Sequence, residues 1–170
     1  MLVVFLGNPG AEYNLTRHNF GFVAAEKMEI ARSLNWNEKF YGMFAKTEIS
    51  GTQHYFLKPG TFMNLSGKSV QAAKSFFKIQ SSEILVIHDD TETEFGEVQY
   101  KSGGGFAGHN GLKSIANSIG SADFKRLRLG IGRPGKGGLS SFVLGKFTPE
   151  ELAFIPAVIR TAEEKLLDLL

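Results

Sequence analysis

The feature of the sequence that most constrains the fold is an alternation of β-prone apolar runs with segments of helical periodicity. Residues 1–6 form a continuous apolar run, as in a strand that is buried on both faces, and residues 84–87 form the most apolar run in the chain. After the first run, apolar residues recur at helical spacing from Phe20 to Ala31. This alternation predicts an α/β protein in which the second run is an interior strand.

The remaining segments extend the same pattern. Residues 43–50 and 53–58 alternate around a Gly51-Thr52 turn and predict a hairpin. Helices are predicted near 70–77, from 112 to the stop at Gly120, and from the capping box at 148–151; further strands are predicted at 97–101 and 124–131. A hairpin within a β/α alternation predicts a three-layer α/β/α sandwich around a twisted mixed β-sheet. At 170 residues we expect a single domain spanning 1–170.

Composition excludes several classes of function. The chain has no cysteine, which removes thiol nucleophiles, disulfides and thiolate zinc sites and suits a reducing cytosol. It has no run of 18 or more apolar residues, and its apolar start is too short for a signal peptide. We therefore expect a cytoplasmic protein that has no membrane partner.

Four loops carry the polar residues that point to chemistry. The first strand leads to Asn8 and His18, the hairpin to Met63 and Asn64, the central strand to His88 and Asp89, and a glycine-rich loop to His109 and Asn110. Ligands of open α/β sheets sit beyond the carboxyl ends of the strands. Convergence of these loops would surround one cleft with an imidazole, a carboxylate and three carboxamides.

His18 is the candidate general base, since a free imidazole titrates near neutral pH. Asp89 is its natural partner, because a carboxylate can hold the imidazole tautomer and stabilise the imidazolium. Asp90 is a rival for that role, and spacing does not separate the two. Each of these residues could instead be a capping or surface residue, and Asn8, Asn64 and Asn110 could be turn residues rather than ligands of an oxyanion.

Better-known motifs are excluded. Gly103, Gly105 and Gly108 match a dinucleotide-binding pattern but follow a late, polar strand, so the glycines are interpreted as allowing close approach of the backbone to a ligand. Gly67-Lys68-Ser69 resembles the end of a phosphate loop, yet Phe62 stands where the first glycine is required. The chain has no G-x-S-x-G elbow and no His-x-x-x-His pair, so we expect neither a serine hydrolase nor a metal. Hydrolysis centred on a histidine remains.

Basic residues cluster by element around the glycine loop and the 124–131 strand. They are Lys101, Lys113, Arg126, Arg128, Arg133 and Lys136. The cluster is either an ordinary solvated face or a footprint for phosphates that does not read bases.

Taken together and in order, these motifs resemble the bacterial peptidyl-tRNA hydrolase family over nearly the whole chain. The residues that carry the resemblance are Gly7-Asn8-Pro9-Gly10, Tyr13, Thr16-Arg17-His18-Asn19, Lys58-Pro59, Phe62-Met63-Asn64, His88-Asp89, the segment 103–113, the segment 126–134 and the segment 142–147. The resemblance implies hydrolysis of the ester between peptide and tRNA, which recycles tRNA from prematurely released peptidyl-tRNA. It also implies a monomer without a cofactor, a metal or an obligate protein partner.

Matching positions imply a role for each site residue. His18 would be the catalytic base and Asp89 its orienting partner. The residues implied to bind the peptide and the 3′ end are Asn8, Tyr13, Met63, Asn64 and Asn110. Lys101 and Arg128 would bind the tRNA 5′-phosphate.

Three departures from the family pattern carry expectations of their own. Gln99 stands where many relatives have a basic residue, which predicts a weaker phosphate clamp. The segment 90–95 differs from the usual leucine- and proline-containing loop, and the chain ends at Leu170, earlier than many relatives, which predicts an abbreviated tRNA-contacting region. Two alternatives stay open: a non-catalytic RNA-binding relative similar to chloroplast splicing factors, and a small-molecule amidase or nucleosidase.

Overall fold

The computed structural model describes residues 1–170 as seven strands and six helices. The strands are β1 Leu2–Phe5, β2 Asn37–Lys39, β3 Gly42–Ile49, β4 Thr52–Pro59, β5 Ile84–Asp90, β6 Val98–Ser102 and β7 Lys125–Gly130. The helices are α1 Phe20–Lys27, α2 Glu29–Arg32, α3 Ser66–Phe77, α4 Asn110–Ile119, α5 Leu139–Leu144 and α6 Pro149–Leu169. Short 3-10 turns occupy Ala11–Tyr13, Arg17–Asn19, Met63–Leu65 and Ser81–Glu83.

All seven strands form one mixed sheet in the order β2-β3-β4-β1-β5-β7-β6. The four strands β4, β1, β5 and β7 are parallel, and the pairs β2–β3, β3–β4 and β6–β7 are antiparallel. The apolar runs predicted to be buried are β1 and β5, which lie side by side in the interior of the sheet. The polar segment near residue 99 is an edge strand, as its pattern predicts.

Alternate side chains of the parallel strands pack into two separate cores, one on each face of the sheet. Val3, Phe5 and Leu85 face α1 and α6, whereas Leu2, Val4 and Ile84 face α3 and α4. Helices therefore cover both faces, which confirms the predicted three-layer α/β/α architecture.

The carboxyl ends of the parallel strands share one edge with the start of β3. Gly42 at the start of β3 pairs with Pro59 at the end of β4, and β4 runs parallel to β1. At the opposite side of the sheet, Gln99 in β6 pairs with Arg128 in β7. The edge formed by the carboxyl ends of the parallel strands gathers the loops that the sequence singles out.

Several short elements differ from the sequence pattern. The first helical segment is interrupted at Met28, whose extended backbone separates α1 from α2. β2 and α5 were not predicted, because elements of three and six residues carry too little periodicity. β5 continues through Asp89 and Asp90, so these residues belong to the strand rather than to the loop after it. No helix is both long enough and apolar enough to cross a membrane.

Candidate active site

A cavity of about 540 Å³ opens at the carboxyl edge of the sheet. Its wall is built from the loops after β1 and β4, the end of β5, the glycine loop before α4, and α5. The predicted site residues that line it are Asn8, Tyr13, His18, Met63, Asn64, Asp89 and Asn110. One concave site therefore contains residues from four separate segments of the chain.

His18 and Asp89 form the centre of this cavity. The 3-10 turn Arg17–Asn19 holds His18 directly before α1, and Asp89 lies in β5. The Nδ1 atom of His18 is 3.0 Å and 2.9 Å from the two carboxylate oxygens of Asp89. Because a carboxylate only accepts, Nδ1 carries the proton and donates it. The Nε2 atom of His18 is then left unprotonated, with its lone pair available to the cavity.

His109 is a second histidine on the same carboxylate. Its Nε2 lies 2.9 Å from Asp89 Oδ1. Its Nδ1 accepts from the backbone amides of Gly111 and Leu112, which makes His109 the N-cap of α4. An Nδ1 that accepts requires the proton on Nε2, so His109 donates to Asp89. The start of α4 is thereby tied to β5.

The electrostatics of this cluster follow from burial and from one charge. Burial raises the pKa of the Asp89 carboxyl, but the opposing effects of His18 and His109 are larger and hold that pKa well below its usual range. Burial lowers the pKa of His18, yet the charge and hydrogen bond of Asp89 outweigh it and leave the pKa above its ordinary value of 6.5. Asp89 therefore remains a carboxylate and stabilises the imidazolium form of His18.

A third histidine, His88, packs behind the other two. Its ring centroid is 5.0 Å from that of His109, and its Nδ1 donates to the backbone oxygen of Asp89 over 2.7 Å. Complete burial, assisted by His109, lowers the pKa of His88 to about 3. His88 is thus neutral at physiological pH and supports the backbone of Asp89 without adding charge.

Asn8 is held so that its amide can donate into the cavity. Its backbone N–H donates to Asn19 Oδ1 and its backbone oxygen accepts from Asn19 Nδ2, at 2.8 Å and 2.9 Å. Its side-chain Oδ1 accepts from the amide of Met63 over 2.7 Å. The Nδ2 group makes no hydrogen bond within the protein, so it is free to bind an oxygen of a ligand.

Asp90 has different partners from Asp89, because successive side chains of a strand point to opposite faces. Its Oδ2 accepts from Arg128 Nη1 over 3.1 Å and from the Thr93 hydroxyl. Arg128 also donates to Gln99 Oε1 through Nη2. The structure therefore pairs His18 with Asp89 and Arg128 with Asp90.

The basic residues have unequal surroundings. Arg126 is 2% exposed and donates to the backbone oxygens of Gly103 and Gly105, so it supports the glycine loop instead of facing solvent. Arg133 is exposed and lies 3.4 Å from Glu92. Lys101 lies against Gly104, near the guanidinium of Arg126. Lys101 on β6 and Arg128 on β7 do not line the cavity.

A metal ion could be held by His18, Asp89 and His109, whose donor atoms lie within 4.8 Å of one another. In the structure, all three residues are joined by hydrogen bonds, with Asp89 accepting from both histidines. Their arrangement is therefore explained by general acid–base chemistry without an ion.

The loop that carries His18 is anchored from the far end of the chain. Arg17 donates through Nη2 to Glu151 Oε1 over 3.1 Å and through Nη1 to the backbone oxygen of Phe142. Its guanidinium carbon lies 4.4 Å from the centroid of the Phe142 ring. The starts of α1 and α6 and the end of α5 thus meet beside His18.

The sequence analysis named His109 and Asn19 in their motifs but assigned neither a role in the site. His109 followed a glycine-rich loop at a predicted helix start, which is a capping position and was the available signal. Asn19 directly follows His18 in a motif and showed no separate signal. The cavity wall from α5, with Leu139 and Leu144, could not be inferred because α5 itself was not predicted.

Comparisons with known proteins all point to one family. A family model described as peptidyl-tRNA hydrolase matches residues 2–170. The peptidyl-tRNA hydrolase of Sorangium cellulosum is 46% identical over 172 residues, which cover 99% of this chain and 77% of that protein. The one from Geotalea daltonii is 45% identical over 159 residues, covering 93% and 83%. A crystal structure of peptidyl-tRNA hydrolase from Acinetobacter baumannii superposes with a TM-score of 0.90 at 39% identity, covering 99% of this chain and 87% of that chain.

Proposed function

The chain belongs to the peptidyl-tRNA hydrolase family, and from that premise we propose that His18 is the general base with which it hydrolyses peptidyl-tRNA. The observation that carries the proposal is the position of Asp89, which accepts from Nδ1 of His18 and leaves Nε2 directed to the cavity. The RNA-binding alternative without catalysis is not favoured, since the family and its solved structures are hydrolases by name.

In the proposed reaction, Nε2 of His18 removes a proton from a water molecule as its oxygen attacks the ester carbonyl carbon. The carbon–oxygen bond to the terminal ribose then breaks, and the ribose oxygen takes up the proton held by His18. The peptide leaves as a carboxylic acid and the tRNA with its hydroxyl restored. Asp89 stabilises the imidazolium throughout, because it is buried and remains ionised.

The carboxamides are proposed to position the ester and to stabilise the oxyanion. Asn8 Nδ2 is unpaired within the protein, and its Oδ1 is already held by Met63, so this amide has one orientation. Asn64 lines the same cavity from the 3-10 turn after β4, and Asn110 lines it from the first position of α4. Fixed amide donors stabilise a developing negative charge without reorganisation during the reaction.

Lys101 and Arg128 are proposed to bind the 5′-phosphate of the tRNA. They belong to the adjacent edge strands β6 and β7. The contacts of Arg128 with Asp90 and Gln99 mean that a phosphate must compete for the guanidinium or bind beside it. The side chain at position 99 is therefore proposed to support Arg128 and not to contact phosphate itself.

We also propose that the protein acts as a monomer in the cytoplasm, without an obligate protein partner. The proposal is supported by the resemblance to the family and by a cavity in which His18, Asp89 and the three asparagines already meet. Light scattering during size-exclusion chromatography tests this proposal. A stable dimer that loses activity on dilution would contradict it.

The test of His18 is single-turnover hydrolysis of an N-acetyl-aminoacyl-tRNA. We expect His18→Asn to lower the rate by roughly 10²–10⁴-fold, the usual contribution of a positioned general base. Tyr100→Ala, which changes an exposed residue on β6 outside the cavity, is the control for purification and folding. Normal turnover by a folded His18→Asn variant would show that another group activates the water.

A further inference from the structure

An exposed apolar surface continues the active-site cavity towards the β2–β3 hairpin. Phe62, Leu65 and Tyr41 are 53%, 53% and 58% exposed, although all three are large apolar or aromatic residues. Phe62 lines the cavity, and its backbone oxygen accepts from the amide of Leu65 over 2.8 Å. We call the surface formed by Tyr41, Phe62, Leu65 and Lys68 the apolar ridge.

The members of the ridge are contiguous. Leu65 directly precedes α3 as its N-cap residue, and Lys68 lies exposed in the first turn of that helix. Lys68 Nζ lies 4.2 Å from the centre of the Tyr41 ring. The backbone oxygen of Tyr41 accepts from Gly60 over 2.8 Å, two residues before Phe62. The ridge therefore extends without interruption from the cavity wall to the hairpin.

Tyr41 is held in a conformation that its own packing does not explain. Phe40 and Tyr41 form the two-residue turn between β2 and β3 with φ values of 55° and 56°, a left-handed conformation that favours glycine or asparagine. Phe40 is retained by an aromatic cluster, with ring centroids 5.1 Å and 5.6 Å from Phe44 and Phe77. Tyr41 forms no aromatic pair, and the turn holds its side chain at the surface beside the head of Lys68.

The topology of the sheet indicates which part of the substrate reaches this ridge. The basic residues Lys101 and Arg128 lie on β6 and β7, on one side of Asp89 in β5. Tyr41 precedes β3, on the other side and at the same edge of the sheet. A substrate whose ester lies at His18 and whose phosphate lies at the basic side directs its peptide across β1 and β4.

We propose that the apolar ridge binds the peptide part of peptidyl-tRNA several residues away from the ester and favours apolar or acidic side chains there. This inference depends on the proposed function. Three strand spacings separate β5 from β3, about 14 Å, which an extended peptide spans in about four residues. Phe62 and Leu65 offer apolar contact, and Lys68 offers a positive charge to an acidic side chain.

The experiment uses one tRNA that carries N-acetylated peptides of one to five residues, with leucine, aspartate or lysine at the residue farthest from the ester. For the wild type we expect kcat/KM to rise about tenfold with length when that residue is leucine, which corresponds to burying one side chain. Aspartate should be preferred to lysine, and Lys68→Met should remove that preference.

Two substitutions remove the ridge without touching the cavity. We expect Tyr41→Gly and Leu65→Ser to abolish the gain with length while leaving kcat/KM for the one-residue substrate unchanged. Tyr41→Gly should also raise the melting temperature, because glycine adopts the left-handed conformation without strain. Phe154→Ala, which removes an aromatic residue of similar exposure on α6, is the matched control and should keep the full gain.

The outcomes separate this inference from the proposed function. If the wild type hydrolyses every substrate but shows no gain with length, or if both ridge variants keep the gain, the ridge does not bind peptide. An equal loss on the one-residue and five-residue substrates would place the ridge against RNA and overturn the inference. The absence of His18-dependent hydrolysis for all substrates would instead contradict the proposed base.

Discussion

At the scale of single residues, the site depends on one carboxylate that serves two histidines. Asp89 accepts from Nδ1 of His18, the proposed base, and also from Nε2 of His109, the N-cap residue of α4. Asp90, its neighbour in sequence, supports Arg128 on the other face of the strand. The sequence could not distinguish the two, because side-chain direction in a strand is defined by the register of the sheet and not by composition.

Replacing Asp89 with asparagine should therefore change the pH dependence as well as the rate. Without the carboxylate, burial alone acts on His18 and its pKa falls, so the rise of kcat with pH moves to lower pH. We also expect kcat to fall by about 10²–10⁴-fold, since a neutral amide does not stabilise the imidazolium and its Nδ2 can donate to Nδ1 of His18, which selects the wrong tautomer. A pH profile of single-turnover rates measures both effects.

Asp90→Asn is the matched control for this profile, because it removes the same charge one residue away. In this variant, kcat should rise with pH over the same range as in the wild type, because the pKa of His18 stays above its ordinary value of 6.5. If the rise of kcat with pH does not move in Asp89→Asn, or moves equally in both variants, the role given to Asp89 is contradicted.

At the scale of elements, the position of His18 depends on how closely α1 approaches the sheet. Gly21 lies in the first turn of α1, and a Cβ atom there would lie 2.4 Å from the backbone oxygen of Leu6 and 2.6 Å from that of Ile87. The amide of Phe22 donates to Leu6 over 3.1 Å. The helix thus packs directly against the backbone of β5, which contains Asp89, and of Leu6 at the end of β1, which leads to Asn8.

We expect Gly21→Ala to push α1 from the sheet and to lower both activity and stability. Overpacking against backbone costs about 1–3 kcal/mol of unfolding free energy, and displacement of His18 from Asp89 should reduce kcat more than it raises KM. Thermal unfolding and single-turnover kinetics test the two parts separately. Gly135→Ala is the control, since nothing lies within 4 Å of its added methyl group; similar stability of both variants would refute the close-packing argument.

The elements differ in how far the sequence predicted them. The sequence predicted β1 and β5 from their unbroken apolar runs. It predicted the longer elements from periodicity and caps, namely the β3–β4 hairpin, α3, α4 and α6. The break at Met28 and the helix α5 depend on tertiary contacts. The two arginines of β7 look equivalent in sequence, yet Arg126 supports the glycine loop and Arg128 pairs with Asp90. Only the neighbouring strands and loops separate their roles.

At the scale of the whole molecule, the carboxyl edge of the sheet has the apolar ridge towards β3 and the basic residues of β6 and β7 on the other side. His18 and Asp89 lie between them. The substrate is also bipartite, with a polyanionic RNA and a peptide joined at the ester. Asp90 reduces the positive charge at the basic end, because it pairs with Arg128. Affinity for the RNA should therefore depend on this buried carboxylate as well as on the arginine.

We expect Asp90→Asn to strengthen binding of tRNA that carries a 5′-phosphate by about threefold, which is the size expected for one partly screened charge pair. Arg128→Gln should weaken it and reduce the dependence of binding on salt. Titration of tRNA with and without its 5′-phosphate is the measurement. Equal effects on both forms would show that Arg128 does not contact that phosphate.

The contact between Arg17 and Glu151, beside His18, bears on the stage of synthesis at which the site can form. Glu151 follows Arg17 by 134 residues, so the contact between them forms only after most of the chain exists. Every growing polypeptide is itself a peptidyl-tRNA. A hydrolase of such molecules that finished its site early would meet its own ester, and those of neighbouring chains, while still on the ribosome. Because the loop of His18 is tied to a helix made late in synthesis, we expect the site to be completed only when translation of the chain is nearly finished.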